Sequence, residues 1–221
     1  MLIENFRPGQ MEKWGLGPTE IKQINPSLIY TRISGYGQTG PYSSDPGFAS
    51  VCEGFGGFRY VNGVPGEIPV RPNLSLGDTL AGIHAALGVC MAYIRCLRHG
   101  EGKGQVVDVS IFESVFNMLE AVVPEYSGAG EVREPSGSTI KGIVPSNTYR
   151  CKDGKLVIIG ANTKGMFERL MRVIGRDDFA DDKRLAINSE RVIHEKVIDE
   201  AIAKWVATLP LKEVTAILKE Q

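Results

Sequence analysis

Leu28-Ile29-Tyr30-Thr31-Arg32-Ile33-Ser34-Gly35-Tyr36-Gly37-Gln38-Thr39-Gly40 sets a run rich in β-branched and aromatic residues directly before a literal G-x-G-x-x-G. The run 28–33 reads as a buried strand. Glycines after a strand invite a dinucleotide-binding reading, but that reading needs them to open a helix whose N-terminus receives a pyrophosphate. Here Pro41-Tyr42-Ser43-Ser44-Asp45-Pro46 follows, which is irregular. The motif therefore reads as a loop that touches a ligand, and the nicotinamide reading is set aside.

Upstream, residues 1–6 form a second strand pattern, broken by Arg7-Pro8-Gly9. One or two short helices are expected from Gln10 to Ile24, separated by Gly15-Leu16-Gly17-Pro18 and closed by Asn25-Pro26. The opening is thus β-α-β. Downstream, residues 35–71 are dense in Gly, Pro, Ser and aromatics, too long for a passive connection, and read as a binding loop containing some short helix. A strong helix is expected from Asp78 to about Arg98, with Arg95, Arg98 and His99 in its last turn and Gly100 beyond it. Gln105-Val106-Val107-Asp108-Val109 is a further strand feeding a helix over about 112–122, so strand and helix alternate as in an α/β layer structure.

Residues 124–143 are polar and Gly-rich at first and are taken as an interdomain linker after a first domain of residues 1–123. The remainder, 144–221, reads as a smaller α+β domain. It opens with a hairpin, 146–151 and 155–160, turned by Lys152-Asp153-Gly154. Helices follow at roughly 164–174, 190–208 and 211–219, the last two separated by Pro210. The abrupt start in a strand and the end inside a helical pattern lead us to expect a longer chain around this one.

Composition bounds the function. The 221 residues carry 25 Lys+Arg against 26 Asp+Glu, a net charge of -1, so no general attraction to nucleic acid or anionic lipid is expected and an anionic ligand needs a local site. Cys52, Cys90, Cys96 and Cys151 form no C-x-x-C pair and have no His at ligand spacing, which argues against zinc. No signal-peptide pattern opens the chain, and a reducing, cytoplasmic setting is expected. The longest apolar run, Leu80 to Ile94, carries His84 and two glycines and falls short of the roughly 20 residues a span needs. It reads as a buried helix rather than a membrane segment.

Asp78 at the start of the strong helix has two compatible readings. It can cap the free N–H groups of the first turn, or it can be a carboxylate nucleophile held ionised by the helix N-terminus. His84 lies among Ile83, Ala85 and Ala86 and reads as a packed core histidine. Asn5-Phe6-Arg7 ends a strand, where α/β proteins place ligands. Glu131, Arg133 and Glu134 read as a solvated linker face.

Taken together, Leu2-Ile3-Glu4-Asn5-Phe6-Arg7-Pro8-Gly9, Ile33-Ser34-Gly35-Tyr36-Gly37-Gln38-Thr39-Gly40-Pro41, Pro69-Val70-Arg71 and Leu76-Gly77-Asp78-Thr79-Leu80-Ala81-Gly82 closely resemble the class III CoA-transferases of the CaiB/BaiF type. Gly102-Lys103-Gly104-Gln105-Val106-Val107-Asp108-Val109 and Val144-Pro145-Ser146-Asn147-Thr148-Tyr149 extend the resemblance across essentially the whole chain. It implies a large Rossmann-like domain built from both ends of a longer chain, a smaller domain between, and a homodimer of two interlocked chains.

The resemblance makes Asp78 the catalytic nucleophile, forming an aspartyl anhydride and then an enzyme-CoA thioester. It makes Asn5, Phe6 and Arg7 contacts to CoA, Lys13 a phosphate contact, and Asp45-Pro46-Gly47-Phe48 the loop along the nucleotide. It implies acyl-CoA and a small carboxylic acid as substrates, with no permanently bound cofactor and no metal. The related acyl-CoA racemases carry a His where Phe48 stands, and racemisation needs an acid/base pair, so transfer is favoured over the racemase alternative. A non-catalytic CoA-binding fragment is the reading from a different class.

Overall fold

The computed structural model describes residues 1–99 and 102–220. The chain divides into two compact units, Met1–Pro135 and Ser136–Gln221. The expected Gly100 stop falls outside the described residues.

In the first unit, β1 (Leu2–Glu4) is followed by α1 (Gln10–Lys13) and α2 (Pro18–Ile24), which return the chain to β2 (Tyr30–Ser34). The long segment after β2 holds α3 (Ala49–Phe55), α4 (Phe58–Val61) and α5 (Leu76–His99) before β3 (Val106–Ser110). The three strands form one parallel sheet in the order β1-β2-β3, with Leu2 opposite Tyr30 and Tyr30 opposite Val106. Parallel pairing requires long crossovers, and both connections here are helical. All three strands therefore deliver their carboxyl ends to the same edge.

Gly104 is needed where the strands begin, because a Cβ there would lie 1.9 Å from the Leu28 carbonyl oxygen. The alternation of β2 sorts its polar residues. Arg32 reaches both neighbours: its Nη1 meets Glu12 Oε1 of α1 at 2.7 Å and its Nε meets Glu4 Oε1 of β1 at 2.7 Å.

Helix α5 differs from its reading in two ways. It begins at Leu76, two residues before Asp78, so Asp78 lies inside the first turn and is not its cap. It is also not buried as expected. Ala81, Ala85 and Ala92 face inward, and at Gly88 an added Cβ would come within 2.6 Å of Val107 Cγ1. The small face thus lets the helix sit close on β3, leaving Ile83, Leu87, Met91, Ile94 and Leu97 in solvent. Leu76–Arg98 is long and apolar enough by length and composition to cross a membrane, longer than the 80–94 run suggested.

After β3, Ser110 Oγ accepts from Glu113 N (3.1 Å) and starts α6 (Ile111–Phe116). The helix expected over 112–122 is shorter and breaks: α6 passes into a 3₁₀ turn at Asn117–Leu119, and Glu120 takes a φ of 51°. Residues read as the start of the linker form α7 (Val122–Ala129), ended by Gly130 in the left-handed region.

The second unit opens with the antiparallel hairpin β4 (Ser146–Arg150) and β5 (Leu156–Gly160), Ser146 opposite Gly160. Gly154 supplies the positive φ (78°) that the turn requires. Helices α8 (Lys164–Val173), α9 (Asp177–Ala180), α10 (Asn188–Ile193), α11 (Glu195–Val206) and α12 (Leu211–Lys219) follow. The single helix expected over 190–208 is two, divided at His194. Phe167, Met171, Ile198, Ile202, Val206 and Val214 are fully enclosed in one core. Arg191 is buried over the Phe167 ring and donates to the backbone carbonyls of Val144, Leu185 and Asn162, tying three loops together.

Candidate active site

Each strand of the parallel sheet contributes its carboxyl end to a single cavity of about 350 Å³. At the end of β1, Glu4 Oε2 accepts from the Phe6 N–H (2.8 Å) while its other oxygen pairs with Arg32. This buried carboxylate turns the chain so that Asn5, Phe6 and Arg7 line the cavity. Arg32's pairing with Glu4 and Glu12 holds its guanidinium protonated, and its two hydrogen bonds to Glu12 hold the Glu12 carboxyl below the usual range.

At the end of β2, the Gly35 carbonyl accepts from Ser110 Oγ (3.2 Å), Phe112 N (3.0 Å) and Cys52 Sγ (3.4 Å), fastening the loop to β3, α6 and α3 at once. Gly35 then meets Gly47 backbone to backbone. A Cβ on Gly35 would lie 2.5 Å from Gly47 Cα, and one on Gly47 would lie 2.6 Å from Gly35 Cα. That approach carries Asp45, Pro46, Gly47 and Phe48 onto the cavity wall. The glycine motif itself makes a turn: Gly37 and Gly40 have positive φ, and Gln38 N donates to Asp108 Oδ2 (2.9 Å). The next helix is α3, at Ala49, so the motif opens no phosphate-binding helix.

Asp78 reaches the same cavity from the first turn of α5. Among the described residues no hydrogen bond or ion pair engages its carboxylate, so both oxygens are without a protein partner there. Beneath it, Cys52 is fully enclosed, and its thiol is pushed up to about 11 by burial and then by the charges of Asp78 and Glu53. Cys52 thus stays a neutral donor to Gly35.

Eight of the nine residues singled out from sequence therefore line one cavity; Lys13 does not and stands exposed at the end of α1. Sequence reading missed Ser34, Ser43 and Ile111 on the wall, and Glu4, Arg32 and Glu53 behind it. The available signal was charge inside apolar runs: Arg32 in 28–33, and Glu53 in Ser50-Val51-Cys52-Glu53-Gly54-Phe55. A second cavity, about 420 Å³, opens where the strands begin, lined by Lys22, Tyr30, Arg95 and Val106. Open α/β sheets bind ligands at the carboxyl edge, where loops from different strands converge.

The chain is an α/β protein whose helix start presents a carboxylate, without a partner among the described residues, to a cavity at the carboxyl edge of a parallel sheet. The whole chain, residues 1–221, matches the model of CoA-transferase family III, and the protein belongs to that family. It is 41% identical over 220 residues to succinyl-CoA–D-citramalate CoA-transferase of Chloroflexus aurantiacus, covering 100% of this chain and 54% of the relative. It is 42% identical over 217 residues to the alpha subunit of succinyl-CoA–L-malate CoA-transferase of Chloroflexus aurantiacus, covering 97% of this chain and 50% of that one. Among solved structures, a CAIB/BAIF family protein from Brucella suis superimposes with a TM-score of 0.79 at 30% identity, over 99% of this chain and 57% of that chain. The chain spans about half the length of the curated relatives it matches.

Proposed function

We propose that the protein moves CoA from an acyl-CoA thioester to a free carboxylic acid, with Asp78 as nucleophile. The observation that carries this reading is the uncommitted Asp78 carboxylate in the first turn of α5, facing a cavity lined by the ends of all three strands. One Asp78 oxygen attacks the thioester carbonyl; the C–S bond breaks, giving an aspartyl-acyl anhydride and CoA thiolate. The thiolate attacks the Asp78 carbonyl, releasing the donor acid as carboxylate and leaving an aspartyl-CoA thioester. The acceptor carboxylate attacks that carbonyl and expels the thiolate, which takes the new acyl group from the second anhydride and restores Asp78. No net proton or electron is transferred.

Covalent catalysis divides the exchange into easier steps, and the helix N-terminus favours the charge that returns on Asp78 in each cycle. In this reading Asn5, Phe6, Arg7, Asp45, Pro46, Gly47 and Phe48 hold the CoA ester, and Lys13 meets a phosphate where the ligand extends beyond the cavity. The named relatives suggest succinyl-CoA as donor and a hydroxylated dicarboxylate as acceptor, with Arg7 the cation on the wall suited to a second carboxylate. Phe48 cannot exchange a proton, which speaks against racemisation. We also read the first unit as part of a larger Rossmann-like CoA-binding domain in a dimer, since the apolar face of α5 is of the kind that assembly covers.

The test is mass spectrometry of CoA thioesters formed from succinyl-CoA with malate or citramalate. Asp78→Ala and Asp78→Asn are expected to lower exchange at least about 10³-fold. Hydroxylamine added with succinyl-CoA is expected to convert Asp78 of the wild type to a hydroxamate. Exchange that persists in both variants sinks the reading.

A further inference from the structure

Glu53 is a fully enclosed carboxylate that the reaction above does not use. It lies on α3, and its Oε1 accepts from the N–H of Gly77 at 3.3 Å, in the residue immediately before Asp78. Its Oε2 receives Arg59 Nε (3.3 Å) and Nη2 (3.2 Å), and Arg59 Nη2 also donates to Ser50 Oγ at 2.7 Å. The first N–H groups of a helix have no partner within it, and a residue of the helix's own flank usually supplies one. Here a side chain from another helix does so.

The surrounding packing makes this contact directional. Gly77 is buried, and a Cβ on it would stand 3.1 Å from Ala49 Cβ and 3.2 Å from Ile111 Cγ2. The start of α5 is thus pressed between α3 and the beginning of α6, and Glu53 fixes the rotation of the peptide that leads into Asp78. The burial of a charge is costly without a partner, and the Arg59 guanidinium supplies that partner and aims the carboxylate.

We propose that Glu53 is a positioning residue for the transfer reaction: through the Gly77 N–H it holds the first turn of α5 so that Asp78 faces the thioester carbonyl. The inference rests on Asp78 being the nucleophile. Glu53 touches no reacting atom, and its effect is on alignment, where a displacement of about 1 Å costs on the order of 10²-fold in rate.

Two variants of the complete protein separate alignment from charge and from stability. Glu53→Gln keeps the reach and an acceptor oxygen for Gly77 but removes the charge; Glu53→Asp keeps the charge but is one methylene too short. Alignment predicts that kcat for CoA exchange falls about 10- to 100-fold in Glu53→Asp, with KM for succinyl-CoA within about twofold, while Glu53→Gln stays within about fivefold of wild type. Hydroxamate formation at Asp78 should slow in parallel with kcat. The reverse order, a slow Glu53→Gln and a fast Glu53→Asp, overturns the proposal in favour of a charge effect. Equal kcat values in both, with only a lower melting temperature, overturn it in favour of a structural role. If Glu53→Asp does not fold, a Glu53→Gln kcat more than tenfold below wild type, with melting unchanged, overturns it; a kcat within fivefold upholds it. Absence of exchange in the wild type itself would instead strike the transferase reading.

Discussion

The two units bury different things. In the second, the fully enclosed large side chains among the described residues are Val144, Pro145, Phe167, Met171, Ile198, Ile202, Val206 and Val214, with Arg191 as the one charge among them. In the first, the fully enclosed large side chains are Glu53, Thr31 and Val115, while Leu87, Met91, Ile94 and Leu97 stand in solvent. One unit is closed around its own hydrocarbon. The other sets buried Glu4, Arg32 and Glu53 behind its strand ends and helix start beside a small apolar cluster, and leaves the apolar face of α5 outward.

The comparison is broken most directly at Phe167. Phe167→Ala should cost about 3–5 kcal/mol in denaturant unfolding of the second unit, with hydrogen exchange in the first unit unchanged. A loss spread equally over both would mean that they are not independent cores.

A smaller effect should appear with pH. The Cys52 thiol is held up to about 11 in the folded state, whereas an unfolded thiol ionises near roughly 8.5. Because the folded value is raised, its contribution is whole below the unfolded value and is lost as pH climbs from about 8.5 towards 11. The first unit should therefore soften over that window, and Cys52→Ala should flatten the loss. Tyr149, raised by burial and by its bond to Asp199, acts with the same sign but begins only above about pH 10. The second unit should hold on longer, as residue-resolved hydrogen exchange at pH 8 and 10 would reveal. The smallest effect is expected at Leu87→Ser, within about 0.5 kcal/mol of wild type in stability, with reduced binding of a hydrophobic dye. A large loss there would show that the α5 face is already covered.

Much of this was legible in the residues. Strand runs 28–33 and 105–109, the hairpin at 146–160 and the helix bearing Asp78 follow from period and turn chemistry, and eight of nine candidate residues meet in one cavity. What period cannot tell is which face of a helix is buried. In α5 the small residues go inward because close approach to β3 needs them, so the apolar pattern pointed the wrong way. Nor can a local pattern reveal a cap supplied from elsewhere: Asp78 has the residue type of a cap, but Glu53 fills that part from another helix. The break at Glu120 had no local marker, since a non-glycine residue with positive φ is uncommon.

The contact of Gly35 with Gly47 has a consequence for descent. Each glycine is the reason the other cannot change, since a methyl on either strikes backbone, which has no rotamer into which to retreat. The two positions are constrained as a pair, and the backbone crossing they permit is the point at which the loop carrying Phe48 is attached.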